Sequence, residues 1–274
     1  MKKRGNLKGY NTKIVITPSL KEIWIYESPV IYSSNDYEKE SYTTNETRTN
    51  KKTYDSMSAS EQYDSLKRKQ LHYKQMRWEI SRLVDCNFDN NTKFMTLTFK
   101  NNVTEINYSN NELRKFLKRL NYHFYHQKKQ ILKYIATWEK QKRGSIHYHI
   151  IFFSSPYIPK YDLERLWGHG FIKINQIKVD SKENHGRYVS KYFSKDLELK
   201  EHKKKAFFTS QNLKKPKTQK LILSPEEIEE LEKESVVFVK EYTRRTYISE
   251  AFRIKDNPNM AFHDTGVRYL KIRW

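Results

Sequence analysis

The sequence is poor in three features that define whole classes of proteins. It has one cysteine, Cys86, among 274 residues, so no disulfide can form within the chain and we expect a reducing compartment. No apolar stretch approaches the length of a membrane-spanning helix, and the basic start lacks the apolar run of a signal peptide. The seven glycines include no GxxxxGK[ST] motif. These absences predict a cytoplasmic protein that contacts no membrane and has no P-loop ATPase of its own.

Positive charge is what the chain has in excess. Its 53 lysines and arginines stand against 32 acidic residues, which gives a formal net charge of +21 at pH 7. Aromatic residues make up 14% of the chain and are interleaved with these cations, a combination that suits unpaired nucleic-acid bases. A basic surface that served only solubility would not need so large an excess. Nucleic acid is therefore the predicted partner.

Composition divides the chain into three predicted segments. Residues 1–58 form an N-terminal extension, with short alternating strands followed by a linker rich in Ser, Thr and Asn. Residues 59–200 carry long periodic patterns and form the predicted main domain. Residues 201–274 form a basic C-terminal extension or a small subdomain, with a helix start at Ser224.

The central segment mixes helical and strand patterns. An amphipathic pattern runs from Ser60 to Asp85, and residues 94–99 alternate as a strand does. A second amphipathic helix begins at a cap, Ser109 or Asn110, and continues to Phe124. Helices and strands therefore occur together in this segment.

The most informative stretch, IATWEKQKRGSIHYHIIFF at residues 135–153, predicts a β-hairpin. Both arms are rich in β-branched and aromatic residues, and the basic stretch 140–144 has the composition of a turn. Folding about that turn sets Glu139 opposite His147, and the two-residue period of a strand puts His149 on the same face. One carboxylate and two imidazoles then form an open site for Mn²⁺ or Mg²⁺, unless the histidines only pack in a sheet core.

A second signal lies in RYVSKYFSK at residues 187–195. Helical spacing places Tyr188, Lys191, Tyr192 and Lys195 on one face, next to an apolar face. Near a metal ion, a tyrosinate can attack a phosphodiester while lysines stabilise the developing charge. The alternative interpretation is an ordinary amphipathic helix that carries two of the twenty tyrosines.

Three stretches, FMTLTF at 94–99, HYH at 147–149 and YVSKYFSK at 188–195, resemble in this order the three motifs of the HUH endonucleases. YIATWEKQKRGSIHYHII and SQNLKKP are similar to stretches of the rolling-circle replication initiators of plasmids and single-stranded DNA phages. The resemblance covers the chain from Ser60 to Pro216. It implies an α+β fold in which a central antiparallel β-sheet is flanked by helices, as in ferredoxin-like palm domains.

The resemblance also implies an activity and residues that carry it. Such initiators nick one strand of a single-stranded or cruciform origin, become linked to its 5′ phosphate, and leave a 3′ hydroxyl that primes synthesis. His147 and His149 match the metal-binding histidines, and Glu139 is the implied third ligand. Tyr188 matches the nucleophile, and Tyr192 is spaced to perform a second, terminating transfer. A host helicase and DNA polymerase are the implied partners, and the protein is a candidate homo-oligomer.

Basic residues near these motifs are candidates for contact with DNA. They lie in the hairpin turn and in the C-terminal segment: Lys142, Arg143, Lys203, Lys204, Lys205, Lys214 and Lys215. Tyr148 fills the position between the two histidines that the family gives to a hydrophobic residue. Two alternatives stay open at this point, a non-catalytic origin-binding regulator on the same scaffold and a tyrosine transposase of the HUH type.

Overall fold

The computed structural model describes residues 7–33, 56–177, 207–247 and 262–273. In chain order the described elements are β1 (Leu7–Ile16), β2 (Leu20–Ser33), α1 (Ala59–Asn87), β3 (Lys93–Thr98), α2 (Ile106–Tyr125), β4 (Lys133–Lys140), β5 (Ile146–Phe153), α3 (Lys160–Trp167), β6 (Ile172–Gln176), β7 (Phe207–Thr209), β8 (Lys217–Leu221), α4 (Pro225–Glu232), β9 (Val236–Tyr247) and β10 (Phe262–Arg273).

The chain forms two compact units, each with its own sheet. A terminal unit comprises Met1–Ala59 and Pro216–Trp274, and a central unit comprises Ser60–Lys215. Each holds a five-stranded sheet in which neighbouring strands are antiparallel. The predicted α+β fold, with an antiparallel sheet and flanking helices, is confirmed.

The sheet of the central unit has the strand order β6-β3-β5-β4-β7, which places β5 in the middle. Alternate side chains of β5 point to opposite faces, as in any strand. On one face Tyr148, Ile150 and Phe152 join a core that includes side chains of α2 and α3. On the other face Ile151 and Phe153 pack with apolar residues of α1. Full burial of each such side chain contributes about 1.5–3 kcal/mol, so both faces hold β5 firmly in place.

The β4–β5 hairpin forms where the sequence predicts it. Gln141 donates its backbone N–H to the carbonyl of Ser145 over 2.9 Å, and Gly144 closes the turn by donating to Gln141 over 2.8 Å. Gly144 has φ of +85°, a conformation that glycine adopts without the strain a side chain would bring. The pairing places Glu139 directly opposite His147. The predicted register of the hairpin is therefore confirmed.

The start of α2 differs from the prediction. Glu105, and not Ser109 or Asn110, caps the helix, because its carboxylate accepts the backbone N–H groups of Asn107 and Tyr108. Ser109 lies inside the first turn, is fully buried, and donates its hydroxyl to the carbonyl of Ile106 over 3.0 Å. The predicted cap is wrong because serine there serves a packing role within the unit.

The terminal unit joins both ends of the chain. Its sheet has the order β8-β1-β2-β10-β9, so strands of the N-terminal segment lie between strands of the C-terminal one. The sequence predicts two separate extensions, whereas the structure pairs them in one sheet. The predicted start of α4 is confirmed: Ser224 and Glu227 form a capping box, in which each side chain accepts the other's backbone N–H. Among the described residues, none of the helices has the length and apolarity to span a membrane.

Candidate functional site

Glu139, His147 and His149 lie on one face of the central sheet, the face that α1 covers farther along β5. Glu139 and His147 are paired across β4 and β5, and Thr137 is the partner of His149. The carboxylate of Glu139 reaches diagonally, so that its Oε1 lies 3.2 Å from His149 Nε2. The structure thus brings the carboxylate and one imidazole into direct contact on the predicted face.

Two neighbours on β3 fix the ring of His149. Its Nδ1 lies 3.2 Å from the hydroxyl oxygen of Thr96, and Phe94 stacks on the ring with centroids 5.6 Å apart and planes 15° apart. A carboxylate can only accept a hydrogen bond, so the partners assign the proton to Nε2, and Nδ1 then accepts from the Thr96 hydroxyl. Side chains from three adjacent strands therefore converge on His149.

His147 is more deeply buried, with 7% of its surface exposed. Burial lowers the pKa of its imidazole, Glu139 acts in the opposite direction, and the nearby His149 and Arg143 add to the lowering. His147 Nε2 is a buried atom without a hydrogen-bond partner among the residues that the structure describes. A buried polar atom of this kind is costly unless something pairs with it. A neutral imidazole is also the form that binds metal ions.

These residues fit a divalent cation by chemistry. The unpaired nitrogen of His147, the imidazole of His149 and the carboxylate of Glu139 make a mixed nitrogen and oxygen donor set of the kind that Mn²⁺ accepts. As they stand, the described side chains include no group of three or more His, Cys, Asp or Glu residues arranged to hold a metal ion. Thr96 would act as the outer partner that orients His149.

Other predicted residues lie at separate places. Lys142 and Arg143 are exposed in the hairpin turn, where Arg143 Nε donates to the side chain of Gln141 over 3.2 Å. Lys214 and Lys215 are exposed, and the backbone of Lys214 bonds to the side-chain amide of Asn87 at the end of α1. Seven candidates lie outside the described residues: Tyr188, Lys191, Tyr192, Lys195, Lys203, Lys204 and Lys205.

Tyr148, between the two histidines, does more than fill a hydrophobic position. Its side chain points to the opposite face, where its hydroxyl bonds to Ser109 Oγ over 2.9 Å and to Asn110 Oδ1 over 2.7 Å. Burial strongly raises the pKa of this phenol, so it stays protonated. The start of α2 is thereby tied to the strand that carries both histidines. A tyrosine in an otherwise aliphatic strand is the only sequence signal for this link.

Residues 92–197 match the model of a family of replication-associated proteins of the ORF2 type. The match supports a role in the initiation of replication. It begins just before β3, includes the whole hairpin, and extends over the stretch that contains Tyr188 and Tyr192. Neither the search of curated proteins nor the search of solved structures found a significant match.

Proposed function

We propose that the protein initiates rolling-circle replication by nicking one strand of an origin and forming a 5′-phosphotyrosine. The phenol oxygen of Tyr188 attacks the phosphorus and forms the new O–P bond, while the bond from phosphorus to the 3′ oxygen breaks. The phenol proton passes to solvent or a nearby base, and the 3′ oxygen leaves as a hydroxyl after taking up a proton. The phosphotyrosine keeps the energy of the phosphodiester, so rejoining by Tyr192 or a second hydroxyl needs no nucleotide.

Glu139, His147 and His149 are the residues that would hold the divalent cation, Mn²⁺ or Mg²⁺. When bound, the cation polarises the non-bridging oxygens of the scissile phosphate. Lys191 and Lys195 would stabilise the tyrosinate and the charge that develops on the phosphate. The freed 3′ hydroxyl would prime a host DNA polymerase, and a host helicase would unwind the duplex, because the sequence contains no P-loop motif.

The observation that carries this proposal is the arrangement on the hairpin. Glu139 and His149 approach to 3.2 Å on the face that also holds the unpartnered Nε2 of His147. A structural role alone does not explain why a carboxylate and two histidines share one face. The family match over residues 92–197 and the net charge of +21 support DNA replication as the setting.

The test is formation of a covalent adduct between the full-length protein and single-stranded DNA. A pool of randomised oligonucleotides labelled at the 3′ end is incubated with the protein and Mn²⁺ and run on a denaturing gel. Because the 5′ phosphate of the downstream fragment becomes attached, the 3′ label should move with the protein, whereas a 5′ label should move with a shorter free fragment. Sequencing the attached fragments identifies the nicked site.

Matched variants assign the roles. Tyr188→Phe should abolish the adduct, and Tyr192→Phe should retain the first adduct, since only the hydroxyl differs in each case. His147→Ala and His149→Ala should lose nicking while still binding the oligonucleotide. An adduct that is lost in Tyr192→Phe and unchanged in Tyr188→Phe moves the nucleophile to Tyr192. Nicking that survives both histidine substitutions contradicts the metal-site assignment.

One observation favours a second candidate, a non-catalytic protein that binds the origin. The described side chains include no ready-made cluster of three metal ligands. A protein of this second kind would bind the oligonucleotide pool without any label moving with the protein on the denaturing gel, with or without Mn²⁺. The same experiment therefore separates the two functions.

A further inference from the structure

A cavity of about 210 Å³ opens in the central unit, away from the two histidines. It lies between the end of β3 and the start of α2, beside the turn that follows α3. Its walls include Phe99, Lys100, Asn101, Tyr108 and His169. Pockets for drug-sized ligands have volumes of about 300–1,000 Å³, so this cavity suits a smaller planar group.

The backbone around this cavity is fixed. Lys100 donates its N–H to the carbonyl of His169 over 2.8 Å, which extends the pairing of β3 beyond its last residue. A Cβ on Gly170 would lie 2.4 Å from the carbonyl oxygen of Thr98, so only glycine allows the two segments to approach this closely. The cavity is therefore formed in advance and does not depend on a loop closing over it.

His169 forms one wall and is held from three sides. Its Nε2 lies 2.9 Å from Glu112 Oε2, and its ring packs against Phe99 and Trp167 with centroids 5.7 Å and 5.1 Å away. Lys115 donates to the other oxygen of Glu112 over 2.8 Å. That hydrogen bond is the main reason why the pKa of Glu112 is lowered, and His169 adds to the effect. An ionised carboxylate thus orients the imidazole at the cavity wall.

The walls combine the features that bind an unpaired base. The ring of Tyr108 is 47% exposed at the first turn of α2, so one face can accept a stacked base. Asn101 is exposed and offers an amide that can both donate and accept hydrogen bonds with a base edge. Lys100 is exposed as well and can pair with a neighbouring phosphate. A purely apolar ligand would leave the lysine and the amide without a role.

The cavity lies at the same end of the sheet as the histidine site. Thr98, the last residue of β3, is the partner of His147 on β5, and Phe99 and Lys100 follow directly. With neighbouring strands about 4.8 Å apart and a rise of about 3.3 Å per residue, Lys100 lies on the order of 10 Å from His147 along the backbone path. A DNA strand placed at the histidines can therefore continue over the sheet edge to the cavity.

We propose that this cavity binds one unpaired base of the single-stranded DNA substrate, stacked on Tyr108 beside His169, and so sets the register of the strand. This inference rests on the proposed function in that the ligand is single-stranded DNA. It adds a base-binding subsite to the chain, and the nicking chemistry does not depend on it.

Photo-crosslinking tests where the base lies. The full-length protein is irradiated with single-stranded oligonucleotides that carry 5-iododeoxyuridine at each position in turn, and the crosslinked peptides are identified by mass spectrometry. We expect one position to crosslink to the peptide containing Tyr108 or His169. The same sequence in a duplex should not crosslink there, because its bases are paired. Crosslinks confined to other peptides would overturn the proposal.

Affinity measurements on two exposed tyrosines of α2 give an independent test. Tyr108→Ala should weaken binding of the oligonucleotide by about 5- to 150-fold, the range found when one stacking aromatic is removed. Tyr122→Ala removes a tyrosine that is 55% exposed on the same helix but distant from the cavity, and it should bind as the wild type does. Equal affinities of wild type and Tyr108→Ala would overturn the proposal.

Two further outcomes distinguish the possible failures. Free deoxynucleoside monophosphates should not displace the crosslinked oligonucleotide; if they bind as tightly as the oligonucleotide, the ligand is a mononucleotide and the strand-register role is wrong. If Tyr108→Ala binds normally while the covalent adduct still forms, the base-binding subsite fails and the proposed nicking function stands. If the crosslink forms at Tyr108 but no adduct is ever found, the nicking function fails and the subsite stands.

Discussion

Glu112 is a buried carboxylate that holds α2 to the turn after α3. Because its hydrogen bonds to Lys115 and His169 lower its pKa below the unfolded value of about 4.3, the ionised form stabilises the fold above that pH. This contribution is lost as the pH falls through the lower, folded-state pKa. We expect Glu112→Gln to reduce the free energy of unfolding by about 1 kcal/mol at about pH 7, and the difference to vanish at about pH 3. Urea denaturation at both pH values measures it.

A matched control uses a more exposed ion pair of the same unit. Glu164 lies 3.6 Å from Lys160, one turn away on α3, where solvent screens the charges. Glu164→Gln should change the free energy of unfolding by less than about 0.5 kcal/mol at either pH. A difference between wild type and Glu112→Gln that stayed the same at both pH values would show that the carboxylate charge is not what stabilises this contact.

Single residues were predictable where a strand period or a hairpin turn fixes their position. The alternation of β5 gives the shared face of His147 and His149, and the turn length gives the pairing of Glu139 with His147. The partnership of Glu112 with His169 joins residues 57 positions apart, and no local period reveals it. A glutamate among the apolar positions of α2 was the available signal, because a buried carboxylate requires a partner.

At the scale of elements, α2 and β5 are linked through the hydroxyl of Tyr148. Tyr148→Phe keeps the ring and removes the donor, which leaves Ser109 Oγ and Asn110 Oδ1 without this bond. Loss of hydrogen bonds at a buried site costs about 1–2 kcal/mol, and we expect that decrease in the free energy of unfolding. Equilibrium denaturation in urea measures it.

Tyr157→Phe is the control for this substitution. Tyr157 is 84% exposed just after β5, so removing its hydroxyl should change the stability by less than about 0.5 kcal/mol. If Tyr148→Phe were as stable as this control, the link between α2 and β5 would make no net contribution. Oligonucleotide binding by both variants then shows whether the link also positions the histidine strand.

Periodic elements of the central unit were predictable because each carries a local pattern. The apolar stripe of α2, with Leu113, Phe116, Leu117 and Leu120, is the buried face of the observed helix. The start of α2 was not predictable, since Glu105 competes as a cap with serine and asparagine residues that ordinarily cap better. A buried tertiary contact of Ser109 decided between them, and tertiary contacts are not visible in a local pattern.

At the scale of the whole molecule, the two ends of the chain share a sheet. Val15 of β1 pairs with Thr218 of β8, and Ile25 of β2 pairs with Arg268 of β10. Each strand has a readable alternation, but nothing in a strand's own sequence names a partner some 200 residues away. The sequence therefore predicts the strands of the terminal unit and not their common sheet. The helical stretch with Tyr188 and Tyr192 stays a prediction, since it lies outside the described residues.

The net charge of +21 makes a prediction about the whole molecule, namely that salt weakens its binding to single-stranded DNA. Each neutralised phosphate of a single strand contributes about −0.7 to the slope of log K against log salt concentration, so about five contacts give a slope of about −3.5. Replacing Lys142 and Arg143 in the exposed hairpin turn by Gln should make the slope less negative by up to about 1.4. Tyr108→Ala should weaken binding at every salt concentration and leave the slope unchanged, because stacking releases no counterions. Fluorescence anisotropy titrations over a salt series measure all three, and a wild-type slope near zero would mean that the positive charge does not contact the phosphates.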